Sequence, residues 1–505
     1  MRSTKAYVKD VLTLTFTALL LRSAGVFFSA RLSVMAGNAV MGLYSQIITV
    51  YAFAGTASCA GVNLGSMRII SECVGAGEYS KLSASLRTCL KYCVGAGTVI
   101  AAITFLFAPI LGTNILGEPR SVPSFKALAL ALPFISVSNA LHGYFNGVKQ
   151  VWRSAVTSIT EQAIRIGSTL FTLEAFKGAD AEDLCLILVI CNAASEAFSC
   201  LLLGILYRFS IKGFKTQEKI KAYSKKRFLG ITLPIAASSL VRSGLTTIEH
   251  IMIPIGLKKS GLGQDQSMAQ YGIISGMVLP VLLYPMALLS SFASITISEL
   301  SARISAGEST EGIREAVTKA LSFSLIYGIG CAAFIGTFAN TLGNSIYQSA
   351  EAGKFIRMLA PLIFFMYLDH VSDGCLKGLD KQNFVMKVNL LDAALSVVFA
   401  IALVPKMGII GFVIALYLCE ILNCFFSFGM LTLTVHPRLS VFKAFIIPWA
   451  SAILSTEVIR FLASKGAILT LILPLSLIAY CLILLACGAL DVFTEMKAQK
   501  HCKAS

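Results

Sequence analysis

Apolar blocks of eighteen or more residues recur from one end of this 505-residue chain to the other. A bilayer core about 30 Å thick is crossed by roughly 20 residues of α-helix. Within lipid, each backbone N–H and C=O has to find its partner inside the protein, which restricts spanning segments to helices and closed barrels. Continuous apolar runs, rather than short alternating ones, select the helix. Only 13% of the residues are charged and 56% are hydrophobic, whereas soluble domains carry about a quarter charged residues. The chain reads as an all-α, polytopic membrane protein.

Glycines, prolines and charge clusters divide it into fourteen transmembrane helices. The first six cover 11–35, 43–70, 88–112, 124–147, 151–174 and 184–207, and the next six 228–256, 270–298, 319–342, 355–378, 384–404 and 408–434. A last pair follows at 441–462 and 467–490. The basic lead-in Met1-Arg2-Ser3-Thr4-Lys5 precedes an apolar run too long for a signal peptide, so the first segment reads as a retained helix. Lysines and arginines gather on one set of alternate loops, which places both termini in the cytoplasm of a multi-pass plasma-membrane protein. The strongest contribution is RFSIKGFKTQEKIKAYSKKR at 208–227, with eight basic residues and one acid. It reads as a topology anchor and linker, with contact to anionic lipid as the alternative. The net charge of +16 thus reports orientation, and no nucleic-acid partner is expected. Fourteen cysteines lie mostly within apolar runs and form no Cys-x-x-Cys pair, and the five histidines show no metal-binding spacing. No phosphate loop is present, so neither a metal, a bound cofactor nor ATP hydrolysis is expected.

Three segments recur in order at a period of about 230 residues. Arg22-Ser23 returns as Arg242-Ser243, each inside the first helix of its half. ISECVGAGE (70–78) returns as ISELSARISAGE (297–308), and LPFISVSNALHGYFNGVKQ (132–150) as APLIFFMYLDHVSDGCLKGLDKQ (360–382). An even number of helices per copy makes the repeat parallel, as in transporters built from two rocking halves. The expected organisation is a six-helix bundle at 1–207, a basic linker at 208–227, a second six-helix bundle at 228–434, and two extra helices with a tail at 435–505.

The paired halves, the Arg-Ser-x-Gly helix, GNAVMGLYSQIITVY (37–51), LPFISVSNALHGYFNG (132–147) and EQAIRI (161–166) resemble the stage V sporulation protein B group. That group belongs to the polysaccharide-exporter branch of the multidrug/oligosaccharidyl-lipid/polysaccharide superfamily. The resemblance covers nearly the whole chain and implies kinship with lipid II and O-antigen-type flippases, and more distantly with multidrug antiporters. The extra helices 13 and 14 fit the fourteen-helix members. The lipid II flippases, by resemblance, line a central cavity with arginines from their first two helices, and Arg22 and Arg68 are the nearest matches. The acid those flippases carry near the start of helix 2 is absent here, where Gly42-Leu43-Tyr44 stands. The resemblance therefore points to a lipid-linked saccharide without specifying lipid II.

Thr15, Ala18, Arg22, Gly25 and Ser29 share one face of helix 1, and Ser239, Arg242, Thr246 and Glu249 form the counterpart on helix 7, with His250 beside them. An intramembrane arginine costs roughly 2.5–3.5 kcal/mol on insertion scales and is a functional residue by default. A repeat-related pair, Arg22 and Arg242, suits an anion, because guanidinium grips phosphate oxygens in bidentate fashion at any working pH. Arg31 and Arg68 would extend that lining. The structural alternatives are ion pairs to Glu161 or Glu249 for the first pair, and snorkelling to an interface for the second. Four acids are candidates for ion coupling: Glu161, Glu249, Asp369 and Asp373. Glu161 stands four residues before Arg165 and has helix-face pairing as its alternative. Asp369 and Asp373 are like charges one turn apart, suited to taking up a proton or Na⁺ unless helix 10 ends early and leaves both wet. Na⁺, H⁺ and membrane potential all remain open as the driving force.

The leading expectation is a monomeric flippase for a polyprenyl-(pyro)phosphate-linked saccharide, with the lipid-linked oligosaccharide and the bilayer as partners. A cation-coupled multidrug antiporter is the alternative, and it calls for a cavity rich in acids and aromatics rather than arginines. A membrane-embedded transferase would need an aqueous loop domain. No loop between the helices exceeds about twenty residues, so no enzyme is expected.

Overall fold

The computed structural model describes residues 4–59, 61–75, 80–176, 178, 180–212, 225–464, 480, 482 and 484. Among these residues all regular structure is helical. The helices are α1 (Thr4–Cys59), α2 (Val62–Gly75), α3 (Ser80–Pro109), α4 (Val122–Gly147), α5 (Val151–Ala175), α6 (Ala181–Lys212), α7 (Lys225–Lys259), α8 (Gln264–Gly272) and α9 (Leu279–Leu283). They continue as α10 (Met286–Ser305), α11 (Thr310–Thr337), α12 (Ala339–Tyr347), α13 (Ala350–Leu359), α14 (Leu362–Gly378), α15 (Gln382–Met407), α16 (Ile409–Val435) and α17 (Ile447–Ser464). The chain divides into two compact units, Met1–Met277 with Ala393–Phe412, and Val278–Asp392 with Val413–Ser505.

Eight of the described helical stretches are long and apolar enough to cross a membrane, and a ninth counts if α13 and α14, bent by 53° across Ala360-Pro361, form one span. The expected total of fourteen differs for identifiable reasons. α1 holds two spans in one stretch, separated only by Gly37 at φ 81°, ψ 166°, a conformation open to glycine and strained for other residues. α5 has 25 residues, about 37 Å of helix, but its charged and hydroxyl side chains depress its hydropathy. α7 carries Arg242, Glu249 and His250 within its length. Helix 14 of the sequence reading, 467–490, lies mostly outside the described residues, as does most of the 208–227 linker.

In the first unit, Ile70, Leu86, Tyr144 and Leu203 belong to one core of α2, α3, α4 and α6. A second core joins α1, α4 and α6 through Leu43, Ile47, Phe125 and Leu188. In the second unit, Ile326 and Ile329 of α11 pack with Ala452 of α17 and with Tyr480 and Leu484. Large apolar side chains also stand outward: Phe171, Leu433 and Leu106 are 78%, 75% and 73% exposed. On a soluble surface this would be a liability, and in a bilayer it is the lipid-facing wall.

The internal repeat has a local physical basis. Gly143 and Gly147 of α4 sit so close to α2 that an added Cβ would lie 2.0 Å from Ser66 Oγ and 2.8 Å from Ile70 Cβ. Gly374 and Gly378 of α14 press likewise on Ala293 and Leu300 of α10, at 3.1 and 2.9 Å. Both pairs are Gly-x-x-x-Gly, the spacing that lets membrane helices approach closely. Each helix then ends in the same turn. Lys149 and Asp380 both take φ 60°, Gln150 N donates to Phe145 O, and Lys381 N donates to Leu376 O, each at 2.8 Å. That pattern is a Schellman cap. Ser71 Oγ donates to Gly147 O at 3.4 Å and Ser301 Oγ to Gly378 O at 3.3 Å. These contacts set Ile70-Ser71 against Leu300-Ser301. The Ile-Ser-Glu match at 70–72 and 297–299 is therefore three residues out of structural register, because the glycine contacts, not the acid, define equivalence.

Candidate functional site

The four candidate arginines are partly or wholly exposed. Arg22 is partly exposed on α1 and Arg242 is exposed on α7, and these two helices pack on each other. Thr247 Oγ1 reaches Thr49 O at 3.5 Å, and Gln46 Nε2 donates to His250 O at 3.3 Å. Along the Arg22 side of α1, Ser29 and Ser33 are buried, each bonding back to its own helix. Arg31 is exposed, with its guanidinium 5.6 Å from the Phe27 ring centre. Arg68 is 64% exposed and stands 3.5 Å from Glu72, so a partner within its own helix accompanies it.

Glu249 is partly buried on α7. Beside it His250 Nδ1 lies 2.8 Å from the hydroxyl of the buried Tyr271. Glu161 lies on α5 within electrostatic reach of Arg165 and of Glu196 on α6. Arg165 donates to Asn192 at 3.2 Å and to Gln162. Glu196 and Asn192, both buried, are the members of this group that sequence reasoning misses. An acid and an amide inside the apolar run 184–207 are the available signal.

Asp369 and Asp373 do come together, and they are 8% and 6% exposed, so helix 10 does not end early and leave them wet. Asn423 Nδ2 donates to Asp369 Oδ2 at 3.2 Å, Ser427 Oγ to Asp373 Oδ1 at 3.0 Å, and Asn389 Nδ2 to Asp373 Oδ2 at 3.1 Å. Lys377 Nζ is 3.6 Å from Asp373 Oδ2. Three helices, α14, α15 and α16, thus supply one buried polar group.

Two further features lie in the first unit. Glu118, almost wholly buried, receives Arg120 Nε at 3.1 Å, Arg120 Nη2 at 3.0 Å and Gln264 Nε2 at 2.8 Å, while Arg120 also reaches Asp265 at 2.9 Å. This clasp ties the α3–α4 connection to the start of α8. Nearby, a Cβ on Gly42 would fall 2.0 Å from Met268 O, and one on Gly272 would fall 2.6 Å from Asn38 O. The backbones of α1 and α8 touch there.

In the second unit, α11, α13, α14 and α17 border a cavity of about 650 Å³. Phe364, Phe365, Phe445 and Trp449 line it, and Arg357 is the charged residue on its wall.

The model of the polysaccharide biosynthesis protein family matches residues 7–285, and that of MatE matches 234–402. Stage V sporulation protein B of Bacillus subtilis (strain 168) is 21% identical over 419 residues, spanning 82% of this chain and 81% of that protein. Lipid II flippase MurJ of the same organism is 19% identical over 452 residues, spanning 84% and 82%. Among solved structures, lipid II flippase MurJ in an inward closed conformation superposes with TM-score 0.69 at 12% identity, over 96% of this chain and all of that one. An inward-facing multidrug resistance MATE family transporter superposes with TM-score 0.65 at 14% identity, over 84% and 98%. The all-helical fold is the one these transporters share, and the chain belongs to the polysaccharide biosynthesis protein family.

Proposed function

We propose that this protein carries a polyprenyl-(pyro)phosphate-linked saccharide across the plasma membrane by alternating access. The carrying observation is family membership together with similarity, over more than four-fifths of the chain, to a protein named a lipid II flippase. The residue chemistry supports it. Arg22 and Arg242 give two adjoining helices a fixed positive charge for a pyrophosphate. The aromatic cavity with Arg357 on its wall has the character expected of a site for an isoprenoid tail. In this reading residues 1–207 rock against 228–434, with 208–227 as linker and 435–505 beside the second half. Arg22, Arg242, Arg68 and Arg31 hold the anion, and Glu161, Glu249, Asp369 and Asp373 are the positions from which an ion gradient acts. The protein works as a monomer with both termini cytoplasmic, and it moves its cargo without chemical change.

The test is translocation of a fluorescent polyprenyl-diphosphate saccharide in proteoliposomes, scored by protection from a membrane-impermeant quencher. Transport of the lipid-linked sugar supports the reading. Export of lipophilic cations, without movement of the lipid-linked sugar, would replace it with the multidrug antiporter that the MatE match over 234–402 favours.

A further inference from the structure

The two halves treat the charges beside their equivalent turns differently. Lys149 and Asp380 hold the same left-handed position, so Trp152 answers to Asn383 and Arg153 to Phe384. The turn itself therefore requires neither the indole nor the guanidinium. In the second half the basic residues near the turn are paired: Arg303 with Glu299 and Glu308, Arg314 and Arg438 with Glu311, and Lys319 with Glu315. In the first half, Arg87, Arg153 and Arg208 pair with no carboxylate among the described residues. The sequence offers none close by, since 79–117, 119–160 and 197–217 contain no aspartate or glutamate.

Arg153 is the fixed centre of this group. Its Nη1 donates to Leu206 O of α6 at 3.2 Å, and its Cζ lies 5.4 Å and 5.9 Å from the ring centres of Trp152 and Phe145. Its Nε–H is buried and meets no acceptor. A guanidinium offers five donors, and ring faces hold it in place without cancelling its charge. Tyr207, next to Leu206, packs edge-on against the buried Tyr144, with 5.1 Å between ring centres, and has the Arg87 charge within electrostatic reach. Arg208 follows it, exposed. Arginines from α3, α5 and α6 thus gather at one end of the first unit.

Apolar surface adjoins these charges. Ile205 and Leu201 of α6 and Val156 of α5 stand outward, and Trp152 is 55% exposed. These two helices pack on each other, so their outward side chains form one lipid-facing wall. Trp152 and Tyr207 mark its rim, where indole and phenol rings meet the headgroup layer. A free phosphate would use the arginines and leave the wall idle. A phospholipid uses both, because its phosphate and its acyl chains are joined in that order across the rim.

The geometry points to a binding site for one anionic phospholipid of the surrounding bilayer, its phosphate held by Arg153, Arg87 and Arg208 and its acyl chains laid along α5 and α6. With the basic segment 208–227 on the cytoplasmic side, the lipid comes from the inner leaflet, where basic pockets between membrane helices take anionic headgroups. This lipid is a resident of the membrane and not the cargo, so the site stands whether or not a saccharide is carried. The competing reading is a set of charges that fixes topology and binds nothing.

The full-length protein, purified in detergent, is titrated with dioleoyl phosphatidylglycerol or with dioleoyl phosphatidylcholine, and bound lipid is counted by native mass spectrometry. Saturable binding of the anionic lipid is expected, with the zwitterionic lipid at least fivefold weaker. Arg153→Gln and Arg208→Gln should each weaken phosphatidylglycerol binding about fivefold or more, a lysine or arginine beside an anionic headgroup being worth about that factor. Lys354→Gln, on the exposed face of α13, removes the same charge elsewhere and should leave binding unchanged. If Arg153→Gln does not fold, Arg208→Gln and Arg87→Gln decide. The inference is overturned if the two lipids bind alike, if the arginine variants keep full affinity, or if Lys354→Gln loses as much as they do. It is also overturned if glycerol phosphate alone displaces the lipid at equal concentration, since the wall would then contribute nothing. Saccharide translocation is not measured, so either reading can fail without the other.

Discussion

At the residue scale, Arg22 separates an anion-binding function from a packing one. Lysine keeps the charge but lacks the planar fork, so Arg22→Lys should retain part of transport and Arg22→Ala should abolish it at normal protein abundance. A charge-assisted pair is worth about 1.5–3 kcal/mol, so the alanine variant should bind a polyprenyl diphosphate roughly ten- to a hundredfold more weakly. Arg22 and Arg242 gripping one diphosphate should also be non-additive in the double alanine variant. Titration of the two single variants and the double with that ligand checks both points, and strict additivity would remove the shared site. The sequence makes such charges legible because each is an anomaly in an apolar run. It does not make their partners legible. Asp369 and Asp373 declare themselves at i, i+4, but Asn423 and Ser427 lie 54 residues away and look like ordinary small polar residues of a membrane helix. Burial, hence the choice between a wet helix end and an enclosed group, exists only once α14 and α16 pack.

At the scale of elements, contact between α1 and α8 depends on glycine. Gly42→Ala places a methyl 2.0 Å from a backbone oxygen, which no rotamer relieves, so the helices must separate. Overpacking of this kind costs about 1–3 kcal/mol. Gly25→Ala on the same helix, with nothing within 4 Å of its added Cβ, should be neutral or slightly stabilising, since alanine favours helix. Thermal unfolding of the two variants in detergent tests the contrast, and equal midpoints would show that the close approach is not needed. The clasp gives a second contrast. Arg120→Ala leaves the buried Glu118 carboxylate without its guanidinium and should cost roughly 1–3 kcal/mol. Asp265→Ala touches only the outer arm, whose carboxylate is 70% exposed, and should cost under about 1 kcal/mol. Helix positions are legible at this scale from apolar length, and the α13–α14 bend is signalled by Pro361. The meeting of Gly42 with Gly272 is not, because a glycine in a helix looks the same whether it faces lipid or a neighbouring backbone.

At the scale of the molecule, the question is which side of the membrane each connection faces. α6 is an unambiguous span, Ala181–Ile211 at mean hydropathy 2.0. The α5–α6 connection around Asp180 and the α6–α7 segment containing Lys221 must then lie on opposite faces, whatever the final number of helices. Basic residues crowd the second and not the first, and translocating them is disfavoured, so 208–227 should stay in the cytoplasm. The recurrence of one Gly-x-x-x-Gly contact, one left-handed cap and one serine-to-glycine hydrogen bond on α2–α4 and α10–α14 carries the argument to the second half. Copies built alike and entering the membrane in the same sense have their corresponding turns, at Lys149 and Asp380, on the same face. With 208–227 inside, α6 running outward to inward places the α4–α5 turn inside as well, and both turns should be cytoplasmic. Single cysteines at Asp180, Lys221, Lys149 and Asp380, in a background lacking reactive thiols, can be treated in intact cells with a membrane-impermeant maleimide. Asp180→Cys should label at once, and the other three only after lysis. Labelling of Lys221→Cys in intact cells would invert the orientation. Labelling of Asp380→Cys but not Lys149→Cys would mean that the halves are antiparallel, and rocking about an axis along the membrane normal would then be excluded.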